Sequence, residues 1–152
     1  MRKLMQKMMI LMVSLLVMLT IGTLSAYATI TPTQPQEGDG TENDPYQIST
    51  AAELYWFADE VNDGQTGISA KLMNDIEIQT GVLNTDGSLN GDGSTFEPWT
   101  PIGSYGEDGE MAYTGTFDGG GCTISGLYCD NTSTSDRTYA GLFGYNSGTK
   151  KT

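Results

Sequence analysis

Apolar positions follow three different rhythms along this chain. The first is a continuous run from Met8 to Ile21, broken only by Ser14 and Thr20. It follows a basic start at Arg2, Lys3 and Lys7 and leads to Ser25-Ala26-Tyr27-Ala28, a small-x-small site. That order predicts a cleavable secretory signal peptide over residues 1–28, cut before Thr29, and an extracytoplasmic destination, secreted or at the cell surface. The alternative is a retained anchor. Extended to Leu24 the run reaches 17 residues, the lower edge of the about 17–25 that cross a bilayer. No membrane association is expected once the leader is gone.

The second rhythm is helical. Thr50 and Glu53 form a capping box, and Leu54, Phe57, Ala58 and Val61 recur at i, i+3, i+4 and i+7. Gly64 supplies a left-handed stop. Residues 29–45 before it are rich in Pro, Thr, Gln, Gly and acids without a hydrophobic period, and read as an extended linker.

From Ile68 the period falls to two. Ile68, Ala70, Leu72, Asn74, Ile76 and Ile78 are expected on one face of a strand, with Ser69, Lys71, Met73, Asp75 and Glu77 on the other. Asn74 is the polar exception on the inward face. A Gly/Asp/Asn/Ser-rich insertion fills 79–98. Very short apolar pieces follow, such as Thr116-Phe117-Asp118 and Ala140-Gly141-Leu142-Phe143, separated by glycines. Strands this short, turning at Gly119-Gly120-Gly121 and Gly126, predict the coils of a β-solenoid better than long hairpins.

Charge narrows the function. No acid precedes Glu37, so cleavage leaves four bases (Lys71, Arg137, Lys150 and Lys151) against 19 acids, a net charge of −15. Such a surface repels phosphate backbones, and nucleic acid is excluded as a partner. The chain has no histidine, which removes His-based triads and His-ligated zinc. Cys122 and Cys129 are the only cysteines. An oxidising exterior permits a disulfide between them, and two small buried thiols are the alternative.

Several segments stand in an order that resembles a bacterial surface-protein family. They are Thr41 to Thr50, Lys71 to Ile76, Trp99-Thr100-Pro101-Ile102-Gly103, Gly115 to Tyr128, and Ala140 to Thr149. The last is similar to the start of the GLUG repeat. The resemblance implies a right-handed parallel β-helix of pectate-lyase-like shape, as in large surface proteins and in the non-catalytic N-terminal region of immunoglobulin A-cleaving metallopeptidases. The expected fold is therefore mainly β: the N-terminal part of such a β-helix over 46–152, with the short amphipathic helix capping its end. Two departures stand out. Cys122 occupies a position that is more often polar in the family. GLUG repeats also continue with another strand where this chain has Lys150-Lys151-Thr152, so the expectation is an incomplete domain from a longer protein.

The functional expectation is a non-catalytic adhesin-like scaffold or binding stalk with an extracellular carbohydrate or protein ligand, as a monomer or part of a longer chain. A fragment of a carbohydrate-active β-helix enzyme, either polysaccharide lyase or hydrolase, is the alternative. Asp118, Asp130 and Asp136 near Arg137 supply residue types for such chemistry. No cofactor is required. The sharpest site is a calcium loop: Asp86, Ser88, Asn90, Gly91, Asp92 and Glu97 fall at positions 1, 3, 5, 6, 7 and 12 of an EF-hand-like spacing. Ser at position 3, Gly93 at position 8 and the lack of flanking helices count against it. Trp99 and Tyr105, Tyr113, Tyr128, Tyr139 and Tyr145 offer aromatic faces for a ligand or for packing.

Overall fold

The computed structural model describes residues 29–106, 109–130 and 139–151. Its first regular unit is a strand, a helix and a second strand parallel to the first. Strand β1 is Tyr46–Ile48, helix α1 is Ala51–Asn62, and β2 is Ala70–Leu72. Strands β1 and β2 pair in parallel, Tyr46 opposite Ala70 and Ile48 opposite Leu72. Parallel neighbours cannot be joined by a tight turn and need a long crossover, and α1 lies within it.

Helix α1 starts where the side chains dictate. The Glu53 N–H donates to Thr50 Oγ1 at 3.2 Å, and the Glu53 carboxylate accepts from the Thr50 N–H at 3.0 Å and the Ser49 N–H at 2.8 Å. Three otherwise orphaned donors are satisfied by one pair of side chains. At the other end the Asp63 N–H still reaches Asp59 O, while Gly64 turns to φ 107°. Leu54, Tyr55, Phe57, Ala58 and Val61 are buried on one face. Replacing Thr50 with alanine should lower stability by about 1 kcal/mol, the usual cost of losing an N-cap hydroxyl. Chemical denaturation of the variant checks it, and an unchanged midpoint would contradict the capping role.

The sheet extends from β2 to β6 (Thr116–Asp118) and then to β8 (Thr149–Lys151), giving the order β1-β2-β6-β8, parallel throughout. Between them lie β3 (Ile76–Glu77), β4 (Ser104–Gly106), β5 (Gly109–Met111) and β7 (Ile124–Ser125). Strands β3 and β7 pair in parallel, and β4 and β5 pair as an antiparallel hairpin. The core joins α1 to the sheets. Ile48, Leu54, Phe57, Val61, Ile102 and Tyr113 are completely buried, and the Phe57 ring meets Tyr113 edge-on and Phe117 at a tilt, each at 5.9 Å between centroids.

This overturns the expected β-helix. The described residues form a mixed α/β arrangement of three separate small sheets and one helix, without a continuous solenoid or closed sheet among them. The helix is no end plug; it contributes five buried residues to the central cluster and connects two adjacent strands. Glycine-punctuated strands of two or three residues satisfy a local β pattern whether they wind as coils or lie as parts of separate sheets, so the pattern alone did not decide.

Two further expectations changed. The alternation from Ile68 breaks at Met73 to Asp75, between β2 and β3. Ala70, Leu72, Ile76 and Ile78 are buried as expected, but Ser69 is buried and Asn74 exposed. Asn74 Nδ2 donates to Ser49 O at 3.0 Å and to Asp75 O at 2.8 Å, bracing the break. Residues 29–45 do not stand away from the fold. The Gln47 N–H donates to Glu37 O at 3.0 Å and the Ser69 N–H to Gly40 O at 2.7 Å, while Pro35 and Gly40 are buried. This segment covers backbone donors on the β1 side of the sheet.

Candidate functional site

Side chains alternate across a strand, so burial of Ala70 and Phe117 turns Lys71 and Asp118 to the opposite face. Register then aligns four polar residues on one rung: Gln47 opposite Lys71, Lys71 opposite Asp118, and Asp118 opposite Lys151. They line a groove of about 360 Å³ together with Glu42 and Thr116. Asp118 is fixed from below, its Oδ1 accepting from the Gly120 N–H at 2.9 Å. The ammonium groups of Lys71 and Lys151 form no ion pair among the described residues.

The calcium expectation meets a different geometry. Asp86 Oδ1 accepts from the Ser88 hydroxyl at 2.6 Å and the Ser88 N–H at 2.9 Å. Asp92 Oδ1 does the same with Ser94, at 2.6 and 3.0 Å. These bonds, the hydroxyl's first, hold both carboxyls below the usual carboxylate range. Asn90 Nδ2 donates to Gly81 O at 3.0 Å. Glu97 is tied elsewhere, its backbone exchanging hydrogen bonds with the Gln79 amide at 2.9 and 3.0 Å. Asp86 with Ser88, and Asp92 with Ser94, therefore form local turns, while Asn90 and Glu97 tie the loop to Gly81 and Gln79, and the buried Glu97 Oε2 has no hydrogen-bond partner. Among the described residues no group of three or more His, Cys, Asp or Glu is placed to hold a metal.

Cys122 and Cys129 are half-buried free thiols. Cys122 Sγ lies 4.0 Å from Leu72 O and from Gly120 O, at the edge of an apolar hollow of about 290 Å³ floored by Leu72 and Phe117. Of the residues considered for glycan chemistry, Asp118 is engaged with turn backbone, Asp130 is exposed, and Asp136 and Arg137 lie outside the described residues. Among the described residues no catalytic constellation is assembled.

The aromatic residues divide by burial. Trp99 is buried, with Nε1 donating to Gly141 O at 3.1 Å and its ring edge-on to Tyr55 at 5.1 Å. Tyr113 is wholly buried and stacks on Phe143 at 5.6 Å, so these two are packing residues. Tyr128 packs against Phe96 at 5.7 Å and sits over Gly93. Tyr139 and Tyr145 are half-buried.

Two phenols carry pH dependence. Burial first, then the nearby Glu97 carboxylate, pushes Tyr55 up to about 12. Burial alone pushes Tyr113 up as well. Both are therefore neutral when folded, whereas an unfolded phenol ionises near about 10. Their contribution to stability is complete below that value and is lost as pH rises from about 10 through the folded values. The melting temperature should fall steeply above about pH 10, with part of the tyrosinate absorbance appearing only as helical circular dichroism disappears. A melting temperature that stays level to about pH 12 would contradict the burial of these phenols.

The Tyr113 hydroxyl is buried and has no hydrogen-bond partner. Removing such a group leaves nothing unsatisfied behind. Tyr113→Phe should be neutral or stabilising by up to about 1 kcal/mol in thermal unfolding. A comparable loss would show that the hydroxyl has a partner.

No family model, no curated protein and no solved structure matches this chain. No helix among the described residues is long and apolar enough to cross a membrane. The groove on the sheet face therefore stands on its own geometry.

Proposed function

We propose that the chain is an exported, non-catalytic module that serves as an adhesin-like scaffold outside the cytoplasm. The observation that carries this reading is the leader itself: a basic start, an apolar run and a small-residue cleavage site ahead of an acidic mature part. The ordered resemblance to GLUG-type surface proteins supports the same destination. Acidic side chains tied into local turns, as at Asp86, Asp92 and Asp118, suit a structural role. The ligand class in this reading is an extracellular carbohydrate or protein, met by the polar outer face of the sheet.

Expression with the native leader tests it. The expected product is extracytoplasmic and begins at Thr29 by N-terminal sequencing. Recovery of the uncut chain from the cytoplasm would overturn the reading.

A further inference from the structure

We propose that Asn90 is a site of self-modification: the Gly91 nitrogen closes on its side-chain amide, and the product releases the base of the loop that carries Leu83 and Leu89.

Asn90 is the only asparagine of the chain followed by glycine. Asparagine amides are among the labile groups of proteins, because the next backbone nitrogen can reach Cγ and close a succinimide ring. A Cβ on the following residue hinders that approach, and every other asparagine precedes Asp, Thr or Ser. The local structure adds to this. Asn90 and Gly91 are both exposed. Gly91 is left-handed at φ +71°, and even a Cβ there would meet nothing within 4 Å, so solvent reaches the site. The Gly91 N–H has no hydrogen-bond partner among the described residues. Nothing has to break before it gives up its proton.

The steps need only water. The Gly91 nitrogen attacks Asn90 Cγ, the Cγ–Nδ2 bond breaks, and Nδ2 leaves as ammonia with the proton from Gly91. Water then opens the succinimide. Cleaving the bond from nitrogen to Cγ leaves aspartate. Cleaving the bond from nitrogen to the Asn90 carbonyl carbon leaves isoaspartate, in which the main chain runs through Cγ. Nothing is oxidised or reduced.

The amide that is lost holds the loop. The Asn90 N–H donates to Val82 O at 2.9 Å, and Nδ2 donates to Gly81 O at 3.0 Å. Leu83 and Leu89 bridge just beyond, and the Asn84 N–H closes the tip on Ser88 O at 2.8 Å. Val82 is buried at the base. Aspartate puts a carboxylate, an acceptor only, where the Gly81 carbonyl needs a donor. Isoaspartate also lengthens the main chain by a methylene and moves the Asn90–Val82 pairing out of register. Either product loses one hydrogen bond and sets a charge against a carbonyl oxygen, which loosens residues 81–90 while the distant core is untouched.

The test follows the purified protein through incubation in mildly alkaline buffer by peptide-map mass spectrometry. Asn90 is expected to gain the mass of an amide turned acid before any other asparagine does, with part of the product labelled by an isoaspartyl methyltransferase. The rate should rise with pH, because the attacking nitrogen must be deprotonated. Asn90→Gln, which would need a larger ring, should stay unconverted. In the aged protein, and in freshly made Asn90→Asp, the Asn84 and Asn90 amides should exchange with deuterium about fivefold faster than in the parent, as for loss of one hydrogen bond. The amides of α1 should keep their rates. A map in which Asn90 keeps its amide, or in which another asparagine converts first, would overturn the site. Conversion that leaves the exchange of Asn84 and Asn90 unchanged would overturn the release.

Discussion

Phe57→Ala should destabilise the protein by about 3–5 kcal/mol, enough to unfold a marginal domain of this size. Phe57 is completely buried at the centre of α1 and touches the rings of Tyr113 and Phe117. Those two rings in turn meet Phe143 at 5.6 and 5.4 Å. Removing the Phe57 ring therefore leaves a void in a cluster that joins the helix to β6 and to the bridge between Ile102 and Phe143. The surrounding pieces are fixed by short parallel pairings and cannot collapse fully onto the gap. Denaturant unfolding would measure the loss. A cost below about 1 kcal/mol would mean that α1 does not sit on the sheet as described.

Gly126→Ala should have an effect of similar size from a different cause. Gly126 adopts φ +74°, and a Cβ there would overlap the Gln79 carbonyl. The left-handed conformation alone costs a non-glycine residue about 1–2 kcal/mol, and overpacking against backbone adds about 1–3 more. The displaced residue is consequential, because the Gln79 amide holds Glu97 through two hydrogen bonds. Gly121 is the control: it is also left-handed, at φ +76°, but a Cβ there meets nothing within 4 Å. Gly121→Ala should lose only the conformational part. Equal losses at the two positions would remove the close-approach argument.

These two positions show what a sequence pattern carries and what it leaves out. The capping box and the apolar stripe of α1 are local, spaced by the helix repeat, and both appear in the structure where the spacing puts them. The inward set Ala70, Leu72, Ile76 and Ile78 is legible for the same reason. Pairing is not local. Ala70 meets Phe117 across a connection that contains β3, a long polar loop and a hairpin, and no residue spacing encodes that partner. Short glycine-bounded strands suggested stacked coils, yet β1 and β2 are adjacent because a helix links them, and β4 and β5 turn back on each other.

The candidate site follows the same division. Alternating Asp, Asn and Ser over 86–92 suggested converging ligands, but such side chains bond most readily to backbone two residues on, as Asp86 and Asp92 do. The rung of Gln47, Lys71, Asp118 and Lys151 left no signal in the chain, because its members lie on four strands. Its one trace was the scarcity of bases, which made the position of each lysine informative.

The central claim is that β1, β2, β6 and β8 form one parallel sheet with α1 as the crossover between its first two strands. Hydrogen-bond scalar couplings in a labelled sample test it most directly. Correlations are expected from the Tyr46 amide nitrogen to the Ser69 carbonyl and from the Thr149 nitrogen to the Gly115 carbonyl. Couplings that instead pair these segments in antiparallel order, or an α1 whose amides exchange as fast as those of an isolated helix, would contradict it.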